Sequence, residues 1–152
     1  MAVTRVLFVC TGNIARSQMA EGLARSLASP DFEIASAGAR PNPRGVHPAA
    51  IEVMRERGID ISHHCPKHVD DLPGEFDYVV TLCDDAVQNC PVLPASEQRL
   101  HWSIPGPAIA GSDPQAQLVF FREIRDDLEH RIQRFLTGIS QSPASIRARG
   151  SR

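Results

Sequence analysis

Apolar positions along this chain follow two periods, one belonging to strands and one to helices. Residues 5–9 (RVLFV) carry after Arg5 an unbroken apolar run that stops at CTGN, as a buried parallel strand feeding a loop does. From Ser17 to Leu27, Met19, Ala20, Leu23, Ala24 and Leu27 recur at helical spacing, which predicts a helix with one face on a sheet. Residues 32–36 (FEIAS) alternate as a second strand, and a loop rich in proline and glycine follows through Pro43 and Gly45. Pro48 opens a helix carrying Ile51, Val53 and Met54, and Gly58 stops it. Residues 78–82 (YVVTL) predict a third buried strand and residues 100–102 a short fourth.

Between residues 116 and 136, Leu118, Val119, Phe121, Ile124, Leu128, Ile132 and Phe135 hold a helical period, so a long C-terminal helix should close the domain. The pattern ends at Gly138, and residues 140–152, rich in Ser, Arg and Gly, are expected to be a disordered tail. Residues 1–139 then form one three-layer α/β domain, with a four-stranded parallel sheet and helices on both faces. Ligands of such sheets bind beyond the C-terminal ends of the strands, where both CTGN and Cys83 fall.

A chain of 152 residues is long enough for one core without disulfide staples. Its net charge of −2 gives no electrostatic reason to expect nucleic acid. No stretch approaches the roughly 20 apolar residues of a membrane span, and the apolar run after Met1–Arg5 is too brief for a secretory signal. A cytoplasmic location is therefore expected, and, as a separate expectation, a monomer. Thiols stay reduced there, so the four cysteines read as catalytic, metal-binding or incidental before they read as structural disulfides.

Cys10-Thr11-Gly12-Asn13-Ile14-Ala15-Arg16-Ser17 sets a cysteine at a strand's end and an arginine at a helix's beginning. So short a loop curls on itself, turning the backbone N–H groups of Thr11 to Arg16 inward as an anion cradle, while Arg16 can grip two oxygens of one oxyanion. The same field favours a thiolate, so Cys10 is expected to be ionised at neutral pH. Gly12 and Asn13 tolerate left-handed backbone angles, and the Ser17 hydroxyl can donate to the sulfur.

With those residues in place, the stretch VLFVCTGNIARSQMAEG resembles the P-loop of the low-molecular-weight tyrosine phosphatase fold, in the variant carried by thioredoxin-coupled arsenate reductases. The likeness runs from about Val6 to Leu136. It implies Cys10 as nucleophile, Arg16 as oxyanion clamp, no bound cofactor, and arsenate as substrate, with phosphate or sulfate as competing oxyanions.

VVTLCDDAVQNCPVLP separates reductase from phosphatase. Water completes a phosphatase cycle, whereas reduction of arsenate to arsenite takes two electrons, which thiols supply by becoming a disulfide. The segment resembles the redox stretch of the reductases, which implies a relay. Cys10 attacks arsenate, Cys83 attacks the Cys10 sulfur and releases arsenite, and Cys90 displaces Cys10 to give a Cys83–Cys90 disulfide that an external dithiol reduces, with thioredoxin expected and mycothiol or glutaredoxin left open. Zinc is a poor alternative because the gap between Cys83 and Cys90 departs from the usual short spacing, although two unrelated buried cysteines remain open.

Gly106, just before Pro107, stands where the family pattern carries an aspartate acting as general acid. Glycine donates no proton, so activity on phosphate esters should suffer more than reduction of arsenate; Asp113 is a weaker substitute. Asn13, Glu21 and Ser36 match a potassium site of some reductases, and Lys67 falls where a carboxylate would complete it. An ammonium paired with Glu21 would replace the ion, which implies independence of potassium, while a solvent-facing Lys67 without a role stays open. His63, His64, Cys65 and His68 are expected to be surface loop residues, and Trp102 to pack near the sheet edge. Two other functions stay open: a phosphatase of the same fold, and a catalytically weak oxyanion-binding or redox-sensing domain.

Overall fold

The computed structural model describes residues 3–83 and 93–140. Four strands, β1 (Thr4–Cys10), β2 (Phe32–Gly38), β3 (Tyr78–Thr81) and β4 (Gln98–His101), pair in parallel in the order β2-β1-β3-β4. The α/β class, the four parallel strands and the P-loop after the first of them are borne out. β1 lies inside the sheet because residues 6–9 are apolar toward both faces and fully buried. The strand order reverses between β1 and β3, so a crevice opens past their C-terminal ends, where Cys10 and Cys83 sit.

Val6 and Phe8 of β1, with Tyr78 and Val80 of β3, face a core shared with all three α-helices: α1 (Arg16–Leu27), α2 (Pro48–Arg55) and α3 (Pro114–Ser140). Leu7, Val9 and Val79 face the other way, against Phe76, Leu93 and the 3₁₀ turn at Val69–Asp71. β4 is a polar edge strand, shifted toward the N-terminus from its expected place, and Trp102 follows it. The indole packs against Phe8 and Phe135, at ring separations of 6.3 and 5.9 Å, as expected for that edge.

Two expectations about α3 are corrected. The helix continues through Gly138 to Ser140, because Leu136 and Ile139 still reach the core although the glycine between them breaks the pattern. Val119 is 54% exposed, since the buried stripe instead runs Phe121, Ile124, Arg125, Leu128, Ile132. Arg125 belongs to that stripe through its partners: its guanidinium donates to the Val53 carbonyl and to Glu56, both at 2.8 Å, and ties α3 to the end of α2. Arg122 and Arg125 hydrogen bonds hold the Glu56 carboxyl down at about 2, so this tie outlasts ordinary carboxylate titration. Among the described residues no helix is long and apolar enough to cross a membrane.

Candidate active site

β1 ends at Cys10 and α1 begins at Arg16, and five residues must reverse the chain between them. Every carbonyl of that loop has a partner outside it. Ala39 N–H bonds Cys10 O at 3.4 Å, Arg40 N–H bonds Thr11 O at 2.9 Å, Asn42 N–H bonds Gly12 O at 3.0 Å and His47 N–H bonds Ile14 O at 2.8 Å. The Asn13 carbonyl accepts from the Gln18 amide at 3.1 Å, and Ala15 O accepts from Met19 N–H of α1 at 2.8 Å. With the carbonyls occupied from outside, the amide groups of Thr11 to Arg16 are the donors this loop could offer to an anion. Ala15, the N-cap of α1, offers no side-chain cap, and the first turn holds no acidic residue, so the positive helix end is left to an anion.

Cys10 is 2% exposed, and its sulfur lies 2.8 Å from the Ser17 hydroxyl. That hydroxyl accepts from Asn13 Nδ2 at 2.7 Å, which leaves its own proton to point at the sulfur and stabilise negative charge there. Asn13 is the one described non-glycine residue with positive φ, at 54°, as expected. Gly12 is not in that conformation, and a Cβ there would meet only ordinary contacts, at 3.7 Å and beyond.

The Arg16 side chain is buried, and its Nη1 donates to the carbonyls of Leu82 at 3.2 Å and Ile104 at 3.1 Å. These bonds fix the guanidinium between the end of β3 and the loop after β4, at the mouth of the cradle. Gly106 lies over it: a Cβ at this position would be 3.8 Å from Cζ, Nη1 and Nη2. The site therefore has no side chain where the expected acid would stand. Asp113 does not substitute, because its carboxylate accepts from the N–H groups of Gln115 and Ala116, each at 3.3 Å, and caps α3.

Cys83 is fully buried just past β3, and the Thr11 hydroxyl donates toward its sulfur at 3.9 Å. A second sulfur thus touches the cradle. Cys83 is disulfide-bonded while Cys10 and Cys65 are free. Cys90 lies outside the described residues.

Behind the loop, Ser36 Oγ donates to Glu21 Oε1 at 2.7 Å and accepts from Asn13 Nδ2 at 3.1 Å. The buried Glu21 carboxylate is flanked by Arg25 Nε at 3.1 Å and Lys67 Nζ at 3.9 Å, and the Lys67 amide donates to Asn13 Oδ1 at 3.0 Å. Two side chains here were not foreseen. Gln18 is fully buried, and His64, expected on the surface, is half-buried with Nδ1 2.9 Å from Gln18 Oε1 and 3.7 Å from Glu21 Oε2. Burial, the largest influence, holds His64 below its ordinary pKa, outweighing the opposite pull of Glu21. Gly38 borders the loop as well: a Cβ there would lie 2.6 Å from Thr11 O. Among the described residues no cluster of His, Cys, Asp and Glu could hold a metal ion.

Of the seven buried polar or charged side chains described, Asn13, Arg16, Ser17, Gln18, Glu21 and Ser36 belong to this one assembly, and only Arg125 does not. Burial of polar groups is costly unless they are satisfied. Their concentration around one loop makes it the candidate site.

The model of the low molecular weight phosphotyrosine protein phosphatase family matches residues 5–145, and the chain belongs to this family. Within it, the chain is 40% identical over 136 residues to an arsenate reductase of Bacillus licheniformis, covering 89% of this chain and 96% of that one. A crystal structure of arsenate reductase from Archaeoglobus fulgidus has a TM-score of 0.72 at 30% identity, over 87% of this chain and 98% of the other. A thioredoxin-dependent arsenate reductase of Corynebacterium glutamicum has a TM-score of 0.68 at 31% identity, over 92% of this chain and 63% of that one. The family resemblance seen in the P-loop and the redox stretch is borne out.

Proposed function

We propose that this chain is an arsenate reductase working by a thiol relay, in the cytoplasm and as a monomer. The observation that carries the proposal is the contact of Cys83, a disulfide-bonded sulfur, with the loop that holds Cys10. Arsenate, its oxygens held by the loop amides and by Arg16, is attacked on arsenic by the Cys10 thiolate, and one oxygen leaves as water with protons from solvent. The Cys83 thiolate then attacks the Cys10 sulfur. The S–As bond breaks, its electron pair stays on arsenic, arsenite leaves, and Cys10–Cys83 is a disulfide.

Cys90 attacks Cys83 and releases Cys10 as a thiolate, and the dithiol of thioredoxin reduces the remaining disulfide. A disulfide at Cys83 beside a free Cys10 is the state such a relay reaches after its second exchange. Glycine at position 106 supports the same reading, since the oxygen that leaves arsenate can take its protons from solvent, whereas an ester's leaving group depends on a placed general acid. Phosphate and sulfate, with the same shape, compete for the cradle. Arsenite release sustained by NADPH, thioredoxin reductase and thioredoxin tests the proposal; turnover of a phosphate ester with no arsenite formed would replace it by a phosphatase.

Lys67 carries a prediction of its own. Its ammonium already faces the carboxylate of Glu21, so a monovalent cation has little to add. Arsenate turnover should stay within about twofold when potassium replaces sodium at constant ionic strength. Lys67→Asp, which restores a carboxylate beside Glu21, should make turnover rise with potassium.

A further inference from the structure

Gln18 sits in the first turn of α1, where burial of an amide needs a reason. Its Nε2 donates to the carbonyl and to Oδ1 of Asn13, both at 3.1 Å, with Cys65 O at 3.3 Å. Its Oε1 must then accept, so the His64 ring carries a proton on Nδ1, 2.9 Å away. Neutral or protonated, His64 can keep that donor in place.

Asn13 is the residue on which the site turns. Its backbone holds the left-handed angle, a conformation costly for a residue with a Cβ, and its Nδ2 leads through Ser17 to the Cys10 sulfur. Gln18 grips Asn13 at two points, the main-chain oxygen and the side-chain oxygen. The first fixes the direction of the peptide that follows, and so one N–H of the cradle. The second fixes which end of the Asn13 amide faces Ser17, because Oδ1 held by Gln18 and by the Lys67 amide leaves Nδ2 to donate.

We propose that Gln18 is a positioning residue for oxyanion binding and for the nucleophile: it holds Asn13 in the left-handed, Ser17-directed state, with His64 orienting its amide. The proposal rests on the Cys10–Arg16 loop being the oxyanion site. Gln18 touches neither substrate nor sulfur and acts through Asn13 alone.

Two substitutions in the full-length, fully reduced chain test it. Gln18→Met keeps length and approximate volume and removes both bonds to Asn13. Gln18→Glu keeps an acceptor toward His64 but sets a carboxylate against two Asn13 oxygens. The readouts are the dissociation constant for inorganic phosphate by calorimetry, kcat/KM for arsenate, and thermal melting. Both variants should melt cooperatively above the assay temperature yet lose about tenfold to a hundredfold in phosphate affinity and in kcat/KM, with Gln18→Glu losing at least as much.

A residue that merely supports the fold would lower the melting temperature and leave the phosphate affinity of the folded chain unchanged. Phosphate affinity within about twofold of the parent in both folded variants overturns the proposal. So does failure of both to fold, which would make Gln18 a general core residue. A parent chain that binds no phosphate would instead bring down the oxyanion site itself.

Discussion

Cys10→Ser is expected to abolish arsenite formation in the reduced protein, together with the loss of thiols that accompanies it. The serine would remain in the cradle, next to Ser17 and ahead of Arg16, and the fold should survive, because a hydroxyl at this buried position finds the Ser17 hydroxyl as a partner. An alcohol is not ionised there and cannot enter a disulfide, so neither the attack on arsenic nor the sulfur exchange can occur. The rate should fall by roughly four orders of magnitude or more, as for other removed nucleophiles. Phosphate binding should persist, since the amides and Arg16 supply it. Arsenite release at a comparable rate from folded Cys10→Ser would place the nucleophile elsewhere.

Gly38→Ala should have the next largest effect, although Gly38 bears no functional group. The last residue of β2 pairs with Cys10 and passes under the P-loop, where an added Cβ would lie 2.6 Å from Thr11 O, 3.0 Å from Asn13 N and 3.1 Å from Asn13 Cβ. None of these atoms is the free end of a flexible side chain. The strand end or the loop has to move, and movement of the loop redirects the cradle amides. Overpacking of this kind costs about 1–3 kcal/mol of stability, and phosphate affinity should fall by roughly tenfold or more. Gly138→Ala is the control, because a Cβ there meets nothing within 4 Å; in a helix it should be neutral or stabilising by up to about 1 kcal/mol. Wild-type affinity and melting temperature in Gly38→Ala would contradict the close approach of β2 to the loop.

The parts of this site that are legible in the sequence are those where local pattern and chemistry coincide. The apolar run before Cys10, the spacing to Arg16 and the helical period after Ser17 each follow from local backbone requirements, and they place the cradle at the strand edge. Glu21 and Lys67 came from likeness to relatives, and their 3.9 Å approach agrees with the pairing expected of them. Gln18, Gly38 and His64 were hidden for a different reason. Each is defined by what it meets across the fold: Cys65 and His64 for Gln18, Thr11 for Gly38, Gln18 and Glu21 for His64. A glutamine in a helix normally reads as a solvated position, and only tertiary burial turns it into a buried donor. The same holds for Arg125, whose charge masks its place on the buried stripe of α3. One clue was available, the glycine ending ASAG at the strand's C-terminal edge, where close backbone approach is a usual reason for glycine.

The central claim, that electrons for arsenate come from paired sulfurs of this chain, is tested most directly by counting free thiols in the fully reduced protein under argon, before and after arsenate. Peptide mass mapping then locates any bond formed. The account predicts the loss of two thiols per chain, one arsenite released, and a Cys83–Cys90 linkage with Cys10 and Cys65 still free. Four thiols surviving at arsenate concentrations shown to saturate the cradle would contradict it.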